Sequence, residues 1–206
     1  MKQAAEILRR AFFNRDPRAV ARELLGKLVV RNSGRKKLAG RIVEVEAYLG
    51  AGDLAAHAAA GHTARNAVLW GPPGHAYVYF IYGVHYCLNI SCLPAGEAGC
   101  ILIRALEPVS GIAEMAKARD LDDLNLTSVR DLRKLTSGPG KLCEALGITR
   151  PRDNDKDMVS RASDLQVIDD AFTVEKIAVT PRIGITKSAE MPLRYVIANS
   201  AFLSRK

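Results

Sequence analysis

The sequence predicts a single α+β domain spanning residues 1–206. Segments of strand and helix character are interleaved along it without the regular strand–helix–strand alternation of a parallel sheet. The length suits one domain, and no shift in composition marks a linker. Apolar residues make up 48% and charged residues 25%, which supplies a sizeable core and excludes wholesale disorder.

Each element has its own signal. Residues 3–11 read as a short helix, with Ala4, Ile7, Leu8 and Ala11 on one side. Asp16 can cap a second helix, with Pro17 in its first turn and Gly26 past its end. Residues 28–31 form a strand, 32–37 a turn, and 38–48 the returning strand. Residues 49–76, rich in Gly and Ala, form a long aperiodic connection, and such connections are often functional. Strands at 77–81 and 85–91 flank a hairpin tip at Tyr82, Gly83 and Val84. A strand at 100–106 ends at Glu107 and Pro108, and Ser110 caps a helix reaching about Ala118. Residues 120–136 are polar and mostly helical, starting near Ser128. The run 137–141 (SGPGK) is a turn entering a helix at 142–146, and 149–163 is a charged surface loop. Strands return at 164–168, 173–180 and 194–198.

Composition narrows the classes of function. No apolar run reaches the roughly 18 residues of a transmembrane helix, and the first ten residues lack the apolar core of a signal peptide. An intracellular protein without a membrane partner is expected. Lys and Arg outnumber Asp and Glu by 30 to 22, a net +8 that favours a polyanionic partner. Cys87, Cys92, Cys100 and Cys143 show no CxxC spacing, so neither a zinc site nor a disulfide framework is expected. His57 and His62 lack a third ligand at sensible spacing, and no metal is expected there. The P-loop, dinucleotide and nucleophile-elbow signatures are all missing.

The candidate chemistry sits in the strands. In 41–48 (RIVEVEAY), alternation places Ile42, Glu44, Glu46 and Tyr48 on one face and Val43, Val45 and Ala47 on the other. The Glu pair is either a site or a solvated edge. Arg104 lies within an apolar strand, where a charge needs an acidic partner, and Glu46 is one candidate. The pair is either catalytic, with the carboxylate taking a proton from an attacking water, or a buried salt bridge. Five of the six Tyr fall between 48 and 86, and all four His between 57 and 85. Such side chains combine a flat face with a polar handle, which suits a pocket that stacks on a base, although they equally suit a sheet core. Tyr82, at the tip, either folds back or serves as a wedge between base pairs. Asn89, in an apolar strand, either ties down a loop or reads a base edge.

Taken together these segments resemble the alkyladenine, or methylpurine, DNA glycosylase family. The resemblance is carried by RIVEVEAYLG (41–50), GDLAAH (52–57), YVYFIYGVHYCLNIS (77–91), ILIRALEP (101–108) and SGPGKLCEALGI (137–148). It implies a compact domain with a curved antiparallel sheet, flanking helices and a protruding β-hairpin that enters DNA. It implies base flipping of alkylated or deaminated purines from double-stranded DNA and hydrolysis of the N-glycosidic bond, leaving an abasic site. By motif, Glu46 matches the general base and Arg104 the residue that helps orient its water. Tyr48, His57 and Tyr79 match the walls of the base pocket, and Asn89 the residue that disfavours guanine. Tyr82 matches the side chain that fills the gap left by the flipped nucleotide. Arg65 and Lys141 are expected to meet the DNA backbone. A monomeric, monofunctional enzyme without a cofactor is expected, cytoplasmic in a bacterium and nuclear in a eukaryote. The residues themselves leave two rivals open: a non-catalytic nucleic-acid-binding module, and a hydrolase of free nucleosides that would not use the Tyr82 wedge.

Overall fold

The computed structural model describes residues 5–50 and 52–205. Among them, nine strands form one sheet: β1 Glu6–Ile7, β2 Leu28–Ser33, β3 Lys36–Tyr48, β4 Ala76–Ile81, β5 His85–Cys92, β6 Gly99–Ser110, β7 Leu165–Asp169, β8 Ile177–Thr180 and β9 Arg194–Ile197. The main path runs β1-β7-β2-β3-β6-β5-β4, and every pairing is antiparallel. β3 organises the sheet. Its first half pairs with β2, Glu44 to Glu46 pair with β9, and β6 runs beside it from Ala39 to Tyr48. The helices are α1 Arg10–Phe13, α2 Pro17–Leu24, α3 Ile112–Ala118, α4 Val129–Thr136, α5 Pro139–Ala145 and α6 Arg150–Asp153.

Alternation along the strands divides the molecule into two sides. Val45 and Ala47 of β3, Val78 of β4, Leu88 and Ile90 of β5, and Ile101 and Ile103 of β6 enter the main core. There they meet Val20, Ala21 and Leu24 of α2, Leu135 of α4 and Leu142 of α5. The intervening residues of the same strands face the other way: Glu46, Tyr48, Tyr77, Tyr79, Cys87, Asn89 and Cys100. Cross-strand register aligns them in rows, with Glu46 opposite Leu102, Tyr48 opposite Cys100, Tyr77 opposite Asn89 and Tyr79 opposite Cys87. Residues one strand apart in register stand about 5 Å from each other, so the second face assembles side chains from four strands.

Several sequence expectations are corrected. Residues 6 and 7 form β1 on the edge of β7, and the helix begins only at Arg10. Ile7 packs against Leu28 and Ile168, a contact local periodicity cannot reveal. Residues 3 and 4 of the expected helix lie outside the described residues. β6 runs on through Glu107 and Pro108 to Ser110, since β3 is long enough to keep pairing with it. Ser110 is therefore strand, and Gly111, with a left-handed φ of 72°, turns the chain into α3. α5 begins at Pro139, within the expected turn, and the expected loop 149–163 contains α6, capped by Thr149. The final strands are shorter than expected. The Asp16 cap with Pro17 in the first turn is as expected.

The alternation in β3 also breaks. Ile42 pairs with Leu106, Glu44 with Ala105 and Val45 with Ile103, so Val43 on β3 and Arg104 on β6 are each left over in the register. Two offsetting bulges result. Ile42 joins Val45 and Ala47 in the main core, not Glu44 and Glu46, while Val43 packs with Ala105 and Phe202. The bulges bring Glu44 and Arg104 together next to Glu46.

Candidate functional site

Glu46 is fully buried and bonded on both oxygens. Oε1 accepts the backbone N–H of Ile183 at 2.7 Å and lies 3.2 Å from Nη1 of Arg104. Oε2 accepts the Tyr48 hydroxyl at 3.0 Å. Burial, and then the negative charge of Glu46, push the Tyr48 phenol well above its usual pKa, so Tyr48 remains a donor. Arg104 has two acidic partners, since its Nε also donates to Glu44 at 3.1 Å. The expected Glu46–Arg104 pair is present, but it belongs to a larger network.

Beyond Tyr48 opens a cavity of about 200 Å³. Tyr48, His57, Arg65, Tyr77, Tyr79 and Asn89 line it. Glu46 does not line it and stands one hydrogen bond behind the Tyr48 wall. His57 packs against Tyr79 with ring centroids 4.5 Å apart, and its Nδ1 lies 2.8 Å from the Tyr77 hydroxyl. His57 remains partly exposed; its partial burial, and then the charge of Arg65, lower its pKa and favour neutral imidazole. Among the described residues its backbone N–H has no partner. Desolvation also raises Tyr77, to about 12, and Tyr79 further, so both stay neutral. Asn89 donates from Nδ2 to the Tyr77 carbonyl at 3.1 Å and accepts from the Cys100 thiol at 3.8 Å, which fixes its amide at the cavity wall.

The connection 49–76 that frames the cavity contains two 3-10 turns, His57–Ala60 and Ala67–Trp70. Asp53 anchors its start. The carboxylate takes both arms of Arg182 at 2.6 and 2.7 Å, and both side chains are fully buried. Burial opposes ionisation of Asp53, but hydrogen bonds from Arg182 and from the Leu49 N–H outweigh it and hold its pKa below 3.8. Arg182 also donates to the Ala47 carbonyl and lies over the Tyr48 ring, 4.6 Å from the centroid. Gly50, with φ of 80°, passes so close to the Ala98 carbonyl that a Cβ would lie 1.6 Å from its oxygen. Asn66 ties the connection together by donating to the carbonyls of His57 and Gly61.

Two expected residues lie apart from the cavity. Tyr82 sits at the tip of the β4–β5 hairpin, 82% exposed, with Phe80 and Val84 exposed beside it. Positive φ at Tyr82 and Gly83, and a Val84 N–H to Ile81 carbonyl bond, make the tight turn typical of hairpins. Lys141 is exposed on α5, in a positive neighbourhood with Arg119 and Arg133. All four cysteines are buried and free. Among the described residues no three His, Cys, Asp or Glu side chains form a group able to hold a metal ion.

The sequence matches the family model for methylpurine-DNA glycosylase over residues 11–201. The chain belongs to this family. A relative from Koribacter versatilis is 64% identical over 199 residues, covering 97% of this chain and 93% of its own. One from Methanoculleus marisnigri is 46% identical over 200 residues, covering 95% and 97%. One from Burkholderia cenocepacia is 44% identical over 199 residues, covering 96% and 91%. All three are provisionally named 3-methyladenine DNA glycosylases. Sequence reasoning missed several parts of the site in this methylpurine-DNA glycosylase family member. Arg182 and the Ile183 N–H come from a segment without a motif, and Asp53 meets Arg182 across 129 positions. Tyr77 was visible only as one of a cluster of tyrosines.

Proposed function

We propose that the chain is a DNA glycosylase that flips an alkylated or deaminated purine nucleotide out of duplex DNA and hydrolyses its N-glycosidic bond. The observation that carries this is a buried Glu46, held by Arg104, Tyr48 and the Ile183 N–H, directly behind an aromatic-walled cavity. The purine would stack between Tyr48 and the His57–Tyr79 pair. A flipped base is read by stacking and by contacts to its edge, and the free His57 N–H and the fixed Asn89 amide are suited to those contacts. Asn89 would crowd the exocyclic amino group of guanine.

In the reaction, Glu46 takes a proton from water as its oxygen attacks the anomeric carbon. The glycosidic bond breaks, and its electrons leave with the purine. Arg104 orients the water. A purine alkylated at N3 or N7 already carries positive charge and leaves without further help. A neutral lesion such as hypoxanthine must gain a proton on leaving. Tyr82 would fill the space left in the duplex, and Arg65 and Lys141 would meet phosphates. No lysine appears beside Glu46 in the contacts above, so the products are a free base and an intact strand with an abasic site.

The test is incubation with methylated duplex DNA, followed by chromatography for free purine and by borohydride trapping. Free methylpurine, alkali-labile sites and no trapped adduct are expected. Binding without release would favour the non-catalytic module, and activity on free nucleosides alone would favour the nucleoside hydrolase.

A further inference from the structure

Glu44 does not line the cavity, yet it is fully buried and bonded more heavily than Glu46. Its Oε1 accepts from Arg104 Nε at 3.1 Å, from Arg194 Nε at 2.8 Å and from the Ser204 hydroxyl at 2.8 Å. Its Oε2 accepts the Ser204 backbone N–H at 2.6 Å. Arg194 is braced by Thr180 Oγ1 and the Arg205 carbonyl, and Phe202 packs against Val43 and Ala105 at the bulges. Two carboxylates and two guanidiniums thus balance in charge. A buried carboxylate is costly to desolvate and is tolerated only when its lone pairs are satisfied, as here.

A guanidinium facing one carboxylate prefers the bidentate fork, with two nitrogens on two oxygens. Arg104 does not sit this way on Glu46. Its Nε is committed to Glu44, its Nη2 lies 3.5 Å from Ser204 Oγ, and only Nη1 reaches Oε1 of Glu46. Among the described residues, Oε2 of Glu46 therefore keeps a single protein donor, Tyr48. We propose that Glu44, seated by Ser204 and Arg194, is a positioning residue that divides the Arg104 guanidinium and so leaves Glu46 able to accept a proton from water. This rests on the glycosylase reading above and adds to it a device opposite the cavity.

The experiment measures single-turnover base release from a duplex carrying one hypoxanthine, with duplex affinity, thermal unfolding and a pH profile, for wild type, Glu46→Gln, Glu44→Gln and Ser204→Ala. Charged or titratable groups facing Glu46 are Glu44 and Tyr48 from β3, Arg104 from β6, Arg194 from β9, Cys87 from β5 and Arg182 from the segment before β9. Of these, Glu44→Gln alters only Glu44 directly and frees Arg104 to close on Glu46. Both changes leave more positive charge facing Glu46, so the acidic limb of the profile moves to lower pH. The rate falls about 100-fold, the scale of a small misplacement in an active site, while duplex affinity stays within about twofold. Ser204→Ala removes the hydroxyl that donates to Glu44 and accepts, at 3.5 Å, from Arg104 Nη2; it costs about fivefold in rate and serves if Glu44→Gln does not fold. A wild-type rate in Glu44→Gln overturns the proposal. So does a rate loss with an unmoved acidic limb, or a wild-type rate in Ser204→Ala if Glu44→Gln does not fold. If wild type releases no base, the glycosylase reading fails and takes this one with it; if Glu46→Gln releases base equally, the activity stands but Glu46 is not its base, and the proposal falls with that assignment alone.

Discussion

At the scale of single residues, the site is built from ions that burial would penalise if they stood alone. Asp53 and Arg182 are the clearest case, being fully buried and bonded in a fork. Asp53→Asn leaves Arg182 charged and without its partner, and breaking such a pair costs about 3–5 kcal/mol. Thermal unfolding should fall by about 10 °C. The pH dependence follows from the lowered Asp53 pKa. The unfolded chain binds the proton more readily than the folded one, so this stability is present above pH 3.8 and is lost as pH falls through the lower folded value. Unfolding of Asp53→Asn should therefore be less steep in acid than wild type. An unchanged melting temperature would mean that the pair is not what holds the cavity frame.

At the scale of elements, the sequence made most strands legible because their apolar alternation is strong. Tyr77, Tyr79 and Asn89 fall in strands that the sequence predicts, because those strands are regular. The bulges at Val43 and Arg104 were not legible, since the β3 pattern continues unbroken in the sequence through residues that change face. The helix expected over β1 does not form there because the apolar spacing fits both periods and only pairing with β7 decides between them. Arg182, Ile183 and Ser204 escaped notice because their relevance lies wholly in contacts with residues far away in the chain. The β4–β5 hairpin carries its own prediction. Tyr82 is almost free of the rest of the molecule, so Tyr82→Ala should leave unfolding unchanged. Loss of one stacked aromatic should weaken binding to a lesion-containing duplex by about tenfold. Equal affinity would remove Tyr82 from the DNA interface.

At the scale of the whole molecule, one sheet divides the labour. Its core face meets the helices, and its other face gathers Glu46, Tyr48, Tyr77, Tyr79 and Asn89 under the 49–75 and 181–193 segments. The net charge of +8 acts over this whole frame. Contact with roughly four phosphates would weaken nonspecific duplex binding by about 100-fold between about 50 and 200 mM salt. Lys141→Ala should lower that salt slope by about one; an unchanged slope would place Lys141 away from DNA. The role proposed for Glu46 is tested by single-turnover base release from wild type and Glu46→Gln at matched DNA occupancy. Release by wild type and its near-complete loss in Glu46→Gln, with duplex affinity preserved, are expected. Equal release by both would contradict that role.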